Sequence, residues 1–288
     1  MDQVAAMIVE ADHFPTTETV LSIPLAVAEY LVLEGLTAPQ MRIALTLLCL
    51  AGAGGQVRIE KPSLERMTGV SMDAANRTLD PVRKTLLGLH GHPSSGSAVF
   101  ADIVYEPGKR GVSFGVVSAT LSREMRGVMA ETGTRMMKLP ADEMREYSSV
   151  PSIILRLRLG AALEADKTAA VARMRLRPED LQPTFGGYAR SAVVRTTSRV
   201  TGEVAEHVSL ARAGAVLVDP AVNEITKISN SMRVKAGRRM AGRKWAAIVV
   251  EATRLQFLPR LTKPAPKLAG AKGSMTFRPG VAPDFRNS

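Results

Sequence analysis

A chain of 288 residues that is 45% apolar has the hydrophobic mass for one large core or two ordinary ones, which excludes a disordered basic protein. Its net charge of +11 points to a polyanionic partner, nucleic acid before an anionic membrane surface. An aromatic content of only 4% argues against a single-strand or RNA binder that stacks bases on exposed rings.

The N-terminal stretch carries an acid at position 2 and no basic start, unlike a secretory signal. The longest apolar candidate, residues 41–53, includes Arg42 and is shorter than the roughly 20 residues a bilayer span needs. A cytoplasmic protein without membrane contact is therefore expected. Residues 19–36 hold a short strand and a helix. Thr37-Ala-Pro-Gln then starts a second helix, with Thr37 as N-cap, Pro39 in the first turn and Gln40 at the capping-box position. That helix runs to about residue 51 and contains the single cysteine, Cys49. A lone thiol in an apolar run rules out an intramolecular disulfide and a cysteine-rich zinc site, and reads as a small core residue in a reducing compartment.

After Gly52-Ala-Gly-Gly, residues 57–60 are strand-like and residues 62–69 form a short helix closed by Gly69. Residues 72–87 read as a longer helix that Pro81 must kink or divide. This is helix-turn-helix spacing. Residues 100–106, a basic turn at 107–111 and residues 112–117 form a hairpin, and a helix-turn-helix followed by such a hairpin is a winged helix. Residues 121–129 and 139–147 read as linker helices.

The second half opens at Pro151 with Ile153, Ile154, Leu157, Ala161 and Ala162 at helical spacing. Residues 173–176 are strand-like and residues 177–183 start a short helix. Gly186-Gly187 makes a turn, residues 188–200 and 205–218 read as helices, and residues 220–229 as a further short one. Residues 225–253 then give an alternating segment, a Gly- and Arg/Lys-rich turn, and a β-branched strand at 245–250. From Lys227 to Lys272 there are twelve Lys/Arg against one acid, Glu251, a surplus equal to the net charge of the whole chain. The excess charge is local, as a phosphate-contacting surface requires. From residue 261 onward a Pro/Gly/Lys-rich composition predicts a disordered basic tail.

The order helix, short strand, short helix, turn, helix, basic hairpin occurs twice. In this the chain resembles the iteron-binding plasmid replication initiators, which carry two winged-helix domains in tandem. Ile103-Val-Tyr-Glu-Pro-Gly-Lys-Arg-Gly-Val-Ser-Phe, leading into Leu121-Ser-Arg-Glu-Met, is similar to the family's first wing and linker helix. Residues 149–159 stand where that family opens its second domain with a Ser-led apolar helix. Asn223-Glu-Ile and Gly242-Arg-Lys-Trp-Ala-Ala-Ile-Val-Val resemble its second-domain finish. The resemblance spans residues 20–254, with three departures: Arg156 replaces the usual aromatic, Pro151 interrupts the Ser-led helix, and residues 188–218 exceed the usual link.

The expected fold is thus α+β and helix-rich: winged-helix domains over residues 1–130 and 131–258, joined by linker helices and followed by a basic tail, 259–288. The resemblance implies a sequence-specific double-stranded-DNA-binding replication initiator without enzymatic activity. It would bind repeated origin sites as a monomer, repress its own promoter as a homodimer, and recruit host replication proteins. A winged-helix transcription regulator or partition protein, and a scaffolding protein with a basic tail, are the alternatives.

The candidate DNA contacts fall into four groups. On the first recognition helix stand Asn76, Arg77, Arg83 and Lys84; Asn and Arg pair bidentately with adenine and guanine edges. Lys109 and Arg110 mark the first wing tip. Arg190, Arg195 and Arg199 form a basic stripe on the helix expected over residues 188–200, whereas residues 205–218, with Arg212 alone, read as core. Lys235, Arg238, Arg239, Arg243 and Lys244 carry the charge of the second wing. No cofactor is expected, since no GxxxxGK[ST] motif occurs. His90-Gly-His92 resembles the metal-binding H-x-H of rolling-circle nucleases but lies in a turn-like Gly-His-Pro-Ser-Ser-Gly rather than on an apolar strand, so neither metal nor catalytic residue is assigned.

Overall fold

The computed structural model describes residues 19–89, 92–109, 113–131, 135–197, 202–242 and 244–255. β1 (Val20–Pro24), α1 (Leu25–Tyr30) and β2 (Leu31–Leu33) lead into α2 (Ala38–Ala51), the central helix of the N-terminal half. At its start the Thr37 N–H donates to Gln40 Oε1 at 2.9 Å, the reach-back expected of a capping box. Ile43, Leu45, Leu47 and Leu48 are fully buried, so α2 is apolar nearly all round, as befits a helix wrapped by other elements. Cys49 packs against the same core, and burial pushes its thiol up to about 12.

β3 (Gln56–Glu60), α3 (Lys61–Thr68), α4 (Ala75–Arg83), β4 (Leu87–Leu89), β5 (Phe100–Glu106) and β6 (Val116–Leu121) complete a winged helix around α2. Its antiparallel sheet has the order β3-β6-β5, with Ile59 opposite Val117 and Ile103 opposite Ala119. All four side chains are buried on the inner face, as the period of two requires. After α5 (Arg123–Glu131), β7 (Met136–Pro140) returns to pair antiparallel with β1, and α6 (Ala141–Glu146) follows.

The second half begins at α7 (Val150–Ala165), where Ser149 Oγ accepts the Ser152 N–H at 3.3 Å. Pro151 falls in the first turn, where a missing N–H has no intrahelical partner to lose, so it opens the helix rather than interrupting it. β8 (Val171–Leu176) and α8 (Pro178–Phe185) come next, then a 3₁₀ segment (Gly186–Ala192) and a hairpin of β9 (Val193–Thr197) and β10 (Val204–Val208). α9 (Leu210–Ala213), a π-helical turn (Gly214–Val218) and α10 (Asp219–Ile228) run on from one another. They feed the second wing, β11 (Met232–Ala241) and β12 (Lys244–Arg254). The sheet order β8-β12-β11 repeats β3-β6-β5. The fold is α+β, with two winged helices in one chain.

Several elements differ from the sequence reading. The described part of residues 188–200 and the start of 205–218 are not α-helical: after a 3₁₀ segment, the β-branched Val193-Val-Arg-Thr-Thr pairs with residues 204–208 as β9 and β10. Only 210–218 of the second segment is helical. The helix expected over 72–87 is α4 alone. Pro81 offers no N–H to the Arg77 carbonyl, the helix ends two residues later, and Leu87–Leu89 pairs with β2 instead. Residues 139–147 divide into the end of β7 and α6, and β6 starts at Val116 rather than 112. The expected tail, 259–288, lies outside the described residues.

Polar ties fix the two halves to each other. Arg156 on α7 is 3% exposed and Glu143 on α6 is 5% exposed, and Arg156 donates to Glu143 through Nε and, at 3.3 Å, through Nη2. Tyr147 Oη donates to the same carboxylate at 2.8 Å, and Arg156 also reaches Ser231 Oγ at 3.1 Å, just before the second wing. Burial, the largest single influence, would lower the Arg156 pKa; the charge of Glu143, its hydrogen bonds and Tyr147 together hold it above its ordinary value. A second tie runs from Tyr188 Oη to the Leu33 and Leu36 carbonyls at 3.2 and 2.6 Å. Beside it Gly186, at φ 56°, abuts Val32 so closely that a Cβ would lie 2.7 Å from its Cγ1. Within the second half, Glu224 on α10 accepts from Ser148 and Ser149 at the start of α7.

Removing one partner of the buried pair strands the other. Arg156→Ala is expected to cost about 3–5 kcal/mol of unfolding free energy, and Arg156→Met with Glu143→Leu together much less than the two single changes summed. Urea denaturation of Arg156→Ala, of the two single changes and of their combination measures this.

Candidate nucleic-acid interface

In each winged helix the helix directly before the wing is free on one side. On α4 that side carries Asn76 and Arg77, both exposed and without an ion pair among the described residues. Lys84 is exposed but holds Asp80 at 2.7 Å. Arg83 turns inward: its Nε donates to the Ile103 carbonyl of β5 at 2.9 Å, so it ties the helix to the wing in the free protein. At the first wing Lys109 is exposed, its backbone N–H held by Ser113 Oγ at 3.2 Å, with Phe114 nearby at 65% exposure. Arg110 lies outside the described residues.

The second wing projects beyond its sheet. β12 pairs with β8 only from Ile248 onward, whereas β11 and β12 stay paired out to Ala241 and Lys244. Its five expected cations divide by partner. Lys235 holds Glu251 at 2.7 Å, and the hydrogen bonds from Lys235 and then Arg173 keep that carboxyl below its usual range. Arg238 donates to Asp219 at 2.8 Å, with its guanidinium 4.7 Å from the centroid of the Trp245 ring. It thus ties the wing to the helix before it. Arg239 and Lys244 are exposed and free of ion pairs among the described residues. Arg243 lies outside them.

Between helix and wing the fit is close. A Cβ on Gly214 would sit 3.0 Å from the Trp245 ring, so the glycine lets the helix approach the wing. Two turns on, Pro220 has no N–H for the Val216 carbonyl, and the helix passes this point as the wider π turn.

The stripe Arg190, Arg195 and Arg199 does not exist as a helical face. Arg190 sits in the 3₁₀ segment, Arg195 on β9 pairs with Glu206 on β10 at 2.6 Å, and Arg199 lies outside the described residues. The helix in the position of α4 is instead the run α9 to α10, which the sequence reading split between core and short helix. Its outward side carries Arg212, Ala215, Val216 and Asn223, with Asp219 among them, at helical spacing. Two signals mark it in the sequence: it immediately precedes the wing, and its alternate face, Leu210, Ala213, Leu217 and Ala221, is apolar. Of the H-x-H pair, His90 lies outside the described residues, and His92 Nδ1 accepts the Ser94 N–H at 3.1 Å in a turn. Among the described residues no cluster of His, Cys, Asp or Glu could hold a metal ion, and no helix is long and apolar enough to cross a membrane.

No protein-family profile and no curated protein sequence matches this chain. Solved structures do. The crystal structure of the Pi initiator protein in complex with iteron DNA aligns over 83% of this chain and 98% of its own, with a TM-score of 0.54 at 15% identity. The chain is similar in fold to the Pi initiator protein. Domains 2 and 3 of RctB align over 83% of this chain and 93% of theirs, with a TM-score of 0.39 at 9% identity. The resemblance drawn from loose motifs therefore holds at the level of the whole fold.

The division of the second-wing cations has a measurable consequence. Arg238→Ala, which loses an ion pair and a ring contact, is expected to lower stability by about 1 kcal/mol, and Arg239→Ala to change it by less than about 0.5 kcal/mol. Chemical denaturation distinguishes them.

Proposed function

We propose that the chain is a sequence-specific, double-stranded-DNA-binding replication initiator that acts by binding and carries out no catalysis of its own. The observation that carries this reading is the repetition of one winged-helix topology in a chain whose fold aligns with 98% of a neighbour solved with iteron DNA. Each half would place its pre-wing helix in a major groove and its wing along the adjoining backbone, so that the tandem covers two successive grooves.

In the first groove Asn76 and Arg77 would read base edges. In the second, Ala215 and Val216 offer small apolar surfaces suited to thymine methyl groups, with Asn223 as a polar reader. Arg239, Lys244 and Lys109, joined by Arg110 and Arg243, would neutralise phosphates. The cations already paired in the free protein, Lys84, Lys235 and Arg195, can trade a carboxylate for a phosphate when DNA arrives. As an initiator the protein would occupy repeated origin sites as a monomer and recruit host replication proteins. A homodimer on an operator would repress its own gene.

Two experiments test this. A test plasmid whose origin is replaced by the protein's cognate direct repeats should replicate when the protein is supplied; operator binding without replication would make it a regulator instead. In duplex titrations, Arg239→Ala with Lys244→Ala should weaken cognate and unrelated sites alike. The slope of log K against log salt should flatten by about 0.9 per lost phosphate contact. A loss confined to the cognate site would mean that the wing reads bases.

A further inference from the structure

The hairpin of β9 and β10 is inserted between the two helices of the second helix-turn-helix, α8 and α9, at the place where the first winged helix has only a short turn. It is held in place at both ends. Ser209 N–H donates to the Ala192 carbonyl at 3.0 Å, closing its base, and Tyr188, two residues before Arg190, is anchored to Leu33 and Leu36 of the other half. Between hairpin, 3₁₀ segment and α9 lies a cleft of about 560 Å³ lined by Arg190, Val193, Val194, Arg195, Glu206 and Arg212.

The charges of this cleft do not cancel. Arg195 and Glu206 face each other across the ladder and neutralise one another at 2.6 Å. Arg190 and Arg212 remain. Arg212 is aimed by its Nε, which donates to the Ser191 carbonyl at 2.7 Å and leaves both terminal nitrogens to present a fork. Arg190 is exposed and pairs with no described residue. Two arginines over a partly apolar wall suit a phosphodiester with its sugar: the guanidinium forks take the phosphate oxygens and the valines take the ring.

The placement relative to the helix favours a backbone over a free ligand. Arg212 stands at one end of the outward stripe that continues through Ala215 and Val216 to Asp219, where Arg238 of the wing waits at the other end. Seven residues of helix separate these ends by ~10 Å, close to the ~12 Å width of a B-DNA major groove. An uncharged stretch, Ala215 and Val216, thus lies between Arg212 at one end and the Arg238–Asp219 pair at the root of the wing at the other.

We infer that the cleft of Arg190 and Arg212 binds a backbone phosphate of duplex DNA, on the strand opposite the one gripped by the second wing. This makes the inserted hairpin a clasp, and it rests on the DNA-binding reading above. The test is a fluorescence-anisotropy titration of the full chain against its cognate duplex at several salt concentrations. Arg190→Gln and Arg212→Gln together should flatten the salt slope by about 0.9, as expected for loss of one phosphate contact, and each alone by part of that. Arg190→Gln, whose side chain has no described partner to lose, keeps the test valid should the double variant unfold. Neutral methylphosphonate placed singly along the duplex should reveal one position that weakens the wild type and leaves the double variant unaffected.

An unchanged slope in a folded variant, with wild-type binding intact, would overturn the clasp alone. Absence of any duplex binding by the wild type would overturn the initiator reading and the clasp with it. Calorimetric titration with ATP and with inorganic phosphate separates the remaining source. Saturable ATP binding lost in the double variant would assign the cleft to a free nucleotide and overturn the inference.

Discussion

A charge buried in the seam between the two halves sets the frame for everything else. Arg156, enclosed within α7, is tolerable only because Glu143 faces it and Tyr147 and Ser231 complete its surroundings. Those four residues come from α6, the chain after it, α7 and the approach to the second wing. The pair therefore fixes the linker, the central helix of the second half and the root of the wing as one body. A buried ion pair at this place demands a definite geometry of its neighbours. With Tyr188 adding a further tie, the two pre-wing helices are held in a set relation, which under the DNA-binding proposal reduces the ordering that binding must impose.

The cations on this frame divide into two kinds. Arg83, Arg238 and Arg156 hold the protein together, binding a wing-strand carbonyl, an aspartate on the neighbouring helix and a buried carboxylate. Arg77, Arg190, Arg239 and Lys244 have no ion pair among the described residues and point outward. A surface that is basic by composition is thus, residue by residue, part scaffold and part unpaired charge. The local surplus of charge in the sequence could not separate the two, because pairing depends on which acid the fold brings near, and Glu251 and Asp219 reach their arginines only across strands or between helix and wing.

The winged-helix pair was legible in the sequence because its signals are local: the capping box at Thr37, the Pro-opened α7, the basic turns, and the repeated order of elements. What escaped was the insertion. Arginines at 190, 195 and 199 mimic a helical stripe, yet the β-branched run at 193–197 favours a strand once residues 204–208 are available to pair with it, and that partner is a long-range fact. The same misreading hid the second pre-wing helix. Arg212 looked isolated among small apolar residues, but the small residues are its outward face. The helix bends past Pro220 by a π turn and packs on Trp245 through Gly214, neither of which periodicity records.

On the proposed function, one chain reads two successive grooves with two similar modules. Hydroxyl-radical footprinting of the full chain on its cognate duplex tests it most directly. The account predicts two protected patches on one face of the DNA, centred ~10 base pairs apart. A single patch confined to one groove, unaltered when either module's outward helix face is changed, would contradict it.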